Sequence, residues 1–265
     1  MKLPIYQVDA FASELFGGNP AAVMPLEGWL DDATLQAIAM ENNLSETAYL
    51  VPRGNDYELR WFTPATEVEL CGHATLASAH TLFEHLNHSG DAITFHTRSG
   101  ALCVTRGDLG LTLDFPAYSL SAAPVDIGVC DALGATASEV VQVQGAAKQL
   151  FVFEFEQDIT GLEPNFAALR AATDQCVIAT APGDECDFVS RFFGPPVGVD
   201  EDPVTGSAHC ALVPYWAGRM GKSELAARQV SARGGALACE LRDDRVFMSG
   251  NGVTYMHGEV WLPDN

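Results

Sequence analysis

Polar and apolar residues alternate along most of this chain, and helical spacing recurs in only a few places, so strands outnumber helices. Residues 3–11 alternate as a first strand and 21–25 form a short apolar second one. Leu35, Ile38 and Ala39 share one helix face behind an Asp31 or Asp32 N-cap, and Asn42-Asn43 suit the C-terminal stop. Residues 47–51 and 57–62 read as strands. From Gly72 the pattern turns helical again, with Leu76, Ala79, Phe83 and Leu86 on the buried side until 87–90 break it. Strands at 93–96, 102–105 and 109–115 follow as a meander.

The second half repeats the plan. Residues 116–125 (PAYSLSAAPV) read as a linker. A short helix near Asp131, strands at 140–144 and 150–155, a helix at 165–172 and strands at 177–180 and 187–193 come next. The helix from Gly206 buries Ala208, Ala211, Leu212, Tyr215 and Trp216. Strands at 229–231, 237–241, 245–248 and 253–261 complete the pattern. The fold expected is α+β, in two similar domains, 1–118 and 119–265, with the last strand free to return to the first half. Each half has a single helix with a buried character, so each is expected as a mostly antiparallel sheet curled, barrel-like, around a central helix.

Two stretches look like copies of one device. LRWFTPATEVELCGHATLASAH (59–80) and FVSRFFGPPVGVDEDPVTGSAHCALVPYW (188–216) each carry a strand-like aromatic run, a Pro-containing acidic loop, and Gly, a polar residue and Ala opening a helix. A helix start offers unpaired N–H groups and about half a unit of positive charge. Gly72-His73-Ala74 and Gly206-Ser207-Ala208, facing each other, would make a pocket for a small carboxylate.

Charge and composition narrow the partners. The chain is 48% hydrophobic and 18% charged, with a net charge of −21. So acidic a surface repels nucleic acid and anionic membranes. No apolar run reaches the roughly 18–20 residues that span a bilayer. The opening MKLPIYQVDAFA reads as a strand rather than a signal peptide. Seven scattered cysteines without a CxxC pair suit reduced thiols, and a cytoplasmic location is expected.

Three groups are candidates for chemistry. At Cys71-Gly72-His73 the plain alternative is a solvated helix start; Cys71, His73 and His80 lack the paired spacings of zinc sites, so no metal is expected. Asp200, Glu201 and Asp202 precede a helix start, where carboxylates serve the dipole, but Pro203 stiffens Asp202 into a fixed direction. Glu46 enters an apolar strand, either as an exposed edge carboxylate or as one turned inward, where burial makes a better proton shuttle. Phosphate loops, dinucleotide fingerprints, HExxH and nucleophile elbows are missing from the sequence, and no cofactor is expected. Proton transfer at carbon then needs a positioned base, a stabilised anion and a returning acid.

Taken together, YQVDAFA, FGGNPAAV, NLSETAYL, ELRWFTPATEVELCGHATLASAH and EDPVTGSAHCAL resemble the phenazine-biosynthesis PhzF-like family, within the diaminopimelate-epimerase-like fold. The motifs span most of the chain in the family's order. The resemblance implies two sheet-wrapped helices with the active site in the cleft between them. It also implies Glu46 as proton shuttle, His73 and Asp202 as catalytic partners and Ser207 as a site residue. Substrate binding is expected of Gly72, Gly206, Ser207 and Asn19. The related epimerases use two opposed cysteines; here Pro203 and Val204 stand in the second corner, so an acid/base route on Glu46 is preferred to a thiol racemase using Cys71. The expected activity is a cofactor-independent isomerase acting on a small anionic metabolite. A non-catalytic acid-binding protein is the alternative, and a homodimer is the expected assembly.

Overall fold

The first strand of the chain finds a partner some 250 residues away. In the computed structural model, which describes residues 1–263, β1 (Lys2–Ala10) pairs antiparallel with the strand Gly252–Trp261. The chain divides into two units: Met1–Asp114 with the chain from Ser249 onward, and Phe115–Met248.

After β1 the first unit contains β2 (Asn19–Pro25), α1 (Asp32–Asn42), β3 (Glu46–Arg53), β4 (Asp56–Phe62), β5 (Glu67–Val68), α2 (Gly72–Glu84), β6 (Ala92–Thr97) and β7 (Gly100–Gly107), and β8 (Gly110–Pro116) leads out of it. The second contains β9 (Leu120–Ala123), α3 (Ile127–Leu133), β10 (Glu139–Val143), β11 (Lys148–Val152), α4 (Glu156–Thr160), α5 (Phe166–Ala172), β12 (Cys176–Pro182) and β13 (Phe188–Gly194). A 3-10 turn (Pro195–Val197), β14 (Val199–Asp202), α6 (Gly206–Met220), β15 (Glu224–Gln229) and β16 (Gly235–Arg242) follow; β17 (Arg245–Gly250) then leads to β18 (Gly252–Trp261).

Strand pairing carries the internal repeat. In the first unit β1–β2 is antiparallel, β2–β3 parallel, β3–β4 antiparallel, β4–β6 parallel and β6–β7 antiparallel. In the second, β10–β11, β11–β12, β12–β13, β13–β15 and β15–β16 follow the same alternation in the same order. A parallel pair needs a crossover, and helices supply it. α1 and α2 bridge the two parallel pairs of the first unit; α4 with α5, and then α6, bridge those of the second.

Local chemistry explains the helix ends. Asp31 caps α1 by accepting from the Thr34 N–H at 2.9 Å, and Asn43 closes it in the left-handed region at φ 50°. α2 packs on β1, β2, β3 and β18, and Gly72 to Ala79 are all buried. α6 packs on β15 and β16 and holds Pro214 in its interior. Proline cannot donate to the carbonyl four residues back. The Tyr118 N–H takes up that Cys210 carbonyl instead, at 2.9 Å.

Several details differ from the sequence pattern: the strand read at 229–231 runs instead over Glu224–Gln229, because the alternation of buried Leu225, Ala227 and Gln229 sets it earlier in the chain. Residues 120–123, inside the stretch read as a linker, form β9 and pair antiparallel with β10, whose backbone groups take up theirs. Leu86 lies beyond the α2 C-cap His85 and is 37% exposed, so the helical face ends at Phe83. Tyr215 is only half-buried, its hydroxyl donating to Glu139 Oε2 at 2.9 Å.

His209 on α6 is fully buried, with Nδ1 2.9 Å from the Thr205 carbonyl, and burial pushes its pKa down to about 4. The unfolded chain protonates this histidine near 6.5, so between these pH values the unfolded state binds more protons and acid destabilises the fold. The contribution is intact above about pH 6.5 and is lost progressively toward pH 4, to a total of roughly 3 kcal/mol. Denaturant midpoints for a His209→Leu variant are expected to fall less steeply than wild type over that range; parallel curves would contradict this.

Candidate functional site

The parallel pairing of β2 with β3 sets Ala21 opposite Glu46, so Asn19 and Glu46 begin adjacent strands at the same end. α2 packs on both strands and carries His73 in its first turn. His73 is buried, at 5% exposure. Its Nε2 lies 3.0 Å from Glu46 Oε2, while Asn19 Nδ2 lies 3.1 Å from Nδ1. Cys71 Sγ sits beside the same ring, 3.6 Å from Nδ1 and 3.9 Å from Nε2. The sequence left Glu46 between an exposed and an inward position; its side chain is 17% exposed and turned toward His73.

The Glu46–His73 contact is close enough for an ion pair but poorly aligned for a hydrogen bond. Oε2 is therefore a buried oxygen with no hydrogen-bond partner among the described residues. Burial works against a charge on His73, but the Glu46 carboxylate beside it pulls the other way and its pKa is held well above the ordinary value. Burial and the Glu46 charge push the Cys71 thiol up to about 11. Asn19 can serve both states of the ring. Its amide nitrogen suits an unprotonated Nδ1, and a half-turn presents the oxygen to an imidazolium N–H.

Neither helix start is capped by a side chain: N-cap Cys71 of α2 and N-cap Thr205 of α6 make no such bond. The second corner is built around Gln229, which is 1% exposed. It accepts from the Thr205 N–H at 2.8 Å and donates to the Asp202 carbonyl at 2.6 Å. Asp202 Oδ2 accepts from Thr205 Oγ1 at 2.5 Å, and Ser231 Oγ donates to the Pro203 carbonyl at 2.8 Å. The acidic run thus separates by role. Asp200 pairs with Arg170, Glu201 with Arg191 at 2.7 Å, and Asp202 turns to the helix start.

Ser207 accepts from Lys148 Nζ at 2.7 Å. With that ammonium occupying an oxygen lone pair, the Ser207 O–H is left as a donor. Burial lowers the Lys148 pKa, and the Asp202 carboxylate works against that shift.

Glu46, His73 and Asn19 therefore meet in the first unit, next to Gly72; Asp202, Gly206 and Ser207 occupy one corner of the second. Lys148 and Gln229 were not found from sequence. Their distances in the chain from Ser207 and Asp202 leave no local signal, although a glutamine ending an apolar strand is an unusual polar position. His80, weighed above with Cys71 and His73, points elsewhere and bonds to Thr254 Oγ1 at 2.9 Å. Glu46, Cys71 and His73 instead each place one metal-competent atom within 4.8 Å of the others.

Known proteins resemble the whole chain. A family model described as phenazine biosynthesis-like protein matches residues 8–258. A Pseudomonas aeruginosa protein named an uncharacterized isomerase is 51% identical over 99% of this chain and 100% of its own. The crystal structure of an Enterococcus faecalis phenazine biosynthesis protein of the PhzF family superposes with a TM-score of 0.95 at 45% identity, covering 99% of this chain and 100% of that one. A hydroxyproline epimerase from Agrobacterium vitis, with a TM-score of 0.64 at 12% identity over 99% of this chain and 93% of its own, shares the fold alone. The α+β, epimerase-like architecture expected from sequence is the one found.

Replacing Gln229 by Ala leaves the Thr205 N–H and the Asp202 carbonyl without these bonds. Each unmade buried bond costs about 1–3 kcal/mol, so an unfolding free energy lower by about 3 kcal/mol, seen as a lower denaturant midpoint, is expected. An unchanged midpoint would mean that the corner is held by other contacts.

Proposed function

This chain belongs to the phenazine biosynthesis-like protein family, and from that premise we propose that it is an isomerase moving a proton between carbons of one small carboxylated substrate. The relatives' names support the reaction class. The observation that carries the residue assignment is the buried Glu46 Oε2, 3.0 Å from His73 Nε2 and without a hydrogen bond of its own.

A carboxylate oxygen with a free lone pair is placed to accept a proton from a substrate beside it. When Glu46 accepts a proton from carbon, it loses its charge and His73 loses its counter-ion. The imidazolium charge then becomes available to the substrate anion in the step that creates it. Return of the proton from Glu46 to a second carbon completes the isomerisation. Asn19 keeps the ring oriented from its other nitrogen. At the Gly72 helix start the N-cap residue, Cys71, makes no side-chain cap bond, and N–H groups there suit an anion.

In the second unit the uncapped Gly206 start, with Ser207 and Lys148 beside it, is proposed to bind a carboxylate, and Asp202 to orient the bound molecule. Cys71 is the poorer base, because a thiol pushed up to about 11 is protonated at neutral pH. The seven cysteines are free, as the reducing cytoplasm assumed here would keep them.

Solvent exchange separates an isomerase from a binding protein. Small aromatic amino and hydroxy acids incubated with the protein in deuterium oxide are expected to take deuterium at carbon. Glu46→Gln is expected to keep its circular dichroism and lower that exchange by about 10³-fold. Wild-type exchange rates in the variant would remove Glu46 from the mechanism, and bound acids that never exchange would favour a binding protein.

A further inference from the structure

We propose that Glu46, Cys71 and His73 form a binding site for a thiophilic divalent cation, zinc, and that zinc there holds the protein inactive. Binding itself does not depend on the isomerase reading; the inactivation does, since it consists in occupying the proposed base.

The donor set is one carboxylate oxygen, one thiol sulfur and one imidazole nitrogen, the mixture that zinc accepts and that magnesium and calcium do not favour. Bonds of about 2.0–2.2 Å to nitrogen and oxygen and about 2.3 Å to sulfur set tetrahedral neighbours about 3.4–3.6 Å apart. The contacts bracket that spacing. His73 Nε2 lies 3.0 Å from Glu46 Oε2 and 3.9 Å from Cys71 Sγ, and all three atoms fall within 4.8 Å of one another. Cys71 Sγ lies nearer Nδ1, at 3.6 Å, so the thiol or the ring must rotate to aim the sulfur and Nε2 at one ion.

Two independent observations point the same way. Glu46 Oε2 is a buried anionic oxygen with a vacant lone pair. The other His73 nitrogen is held by the Asn19 side chain at 3.1 Å, and a ligating histidine is ordinarily fixed in this manner through its second nitrogen. A protein with a net charge of −21 also draws cations to its surface. Binding balances as follows: the Cys71 thiol and the His73 imidazolium each release a proton to solvent, and zinc gains a thiolate, a neutral imidazole and the Glu46 carboxylate. A fourth position remains for water. Zinc so bound engages the lone pair that takes the substrate proton.

Cobalt(II) is the probe, because it enters zinc sites and reports thiolate ligation by a charge-transfer absorption. Metal-free protein titrated with cobalt chloride is expected to saturate at one equivalent, with that absorption and the intense visible bands of a tetrahedral ion, and zinc should displace it. Cys71→Ser should lose the charge-transfer band, and Glu46→Gln should bind cobalt at least about tenfold more weakly. Circular dichroism reports whether each variant is folded, and His73→Asn provides a second route if the cysteine variant is not. No charge-transfer band in wild type, or an undiminished one in folded Cys71→Ser, overturns the site. One equivalent of zinc is expected to suppress carbon deuteration at least about tenfold, and unsuppressed exchange in zinc-loaded protein overturns the inhibitory role. Protein that binds cobalt as described but exchanges no deuterium even without metal keeps the site and refutes the isomerase.

Discussion

A helix packed against sheet on several sides must be built from small residues, and its polar atoms must be satisfied within the helix. α2 obeys both conditions. Its buried stretch is Gly-His-Ala-Thr-Leu-Ala-Ser-Ala, and the hydroxyls of Thr75, Ser78 and Thr81 donate to carbonyls four residues back, at 2.5, 2.7 and 2.9 Å. α6 solves the same problem with His209 Nδ1 toward Thr205 and Cys210 Sγ toward Gly206. At the helix starts the N-cap side chains, Cys71 and Thr205, make no cap bond, and that of Thr205 turns to Asp202 instead; a start left so suits an anion.

What the sequence disclosed was local. Asp31 and Asn43 mark the ends of α1 because cap chemistry acts over three or four residues. The duplicated corners were visible as Gly-polar-Ala after a strand and a rigid loop. The proximity of Glu46 to His73 was known only through resemblance; it arises from a parallel strand pair that no short window contains. Lys148 and Gln229 lie still farther outside local pattern. The Pro-, Ser- and Ala-rich stretch misled because composition suggests a linker, whereas its four paired residues are settled by the neighbouring strand. Leu86 continued a helical spacing past the point where the backbone had already stopped.

The Glu46 oxygen shows why reactivity and vulnerability coincide. An oxygen left without a hydrogen bond keeps the lone pair that proton transfer requires. The same lone pair is open to any Lewis acid small enough to reach it, and the Cys71 sulfur within 4.8 Å of it favours a thiophilic one.

The pairing of β1 with β18 bears on biosynthesis. Residues 115–248 form a continuous stretch and can fold as they leave the ribosome. β1 emerges before β18 yet waits for it until translation has passed Trp261. For most of synthesis the nascent chain therefore holds an unmatched strand edge beside α2, and completion of the first unit is timed by the arrival of its most distant segment.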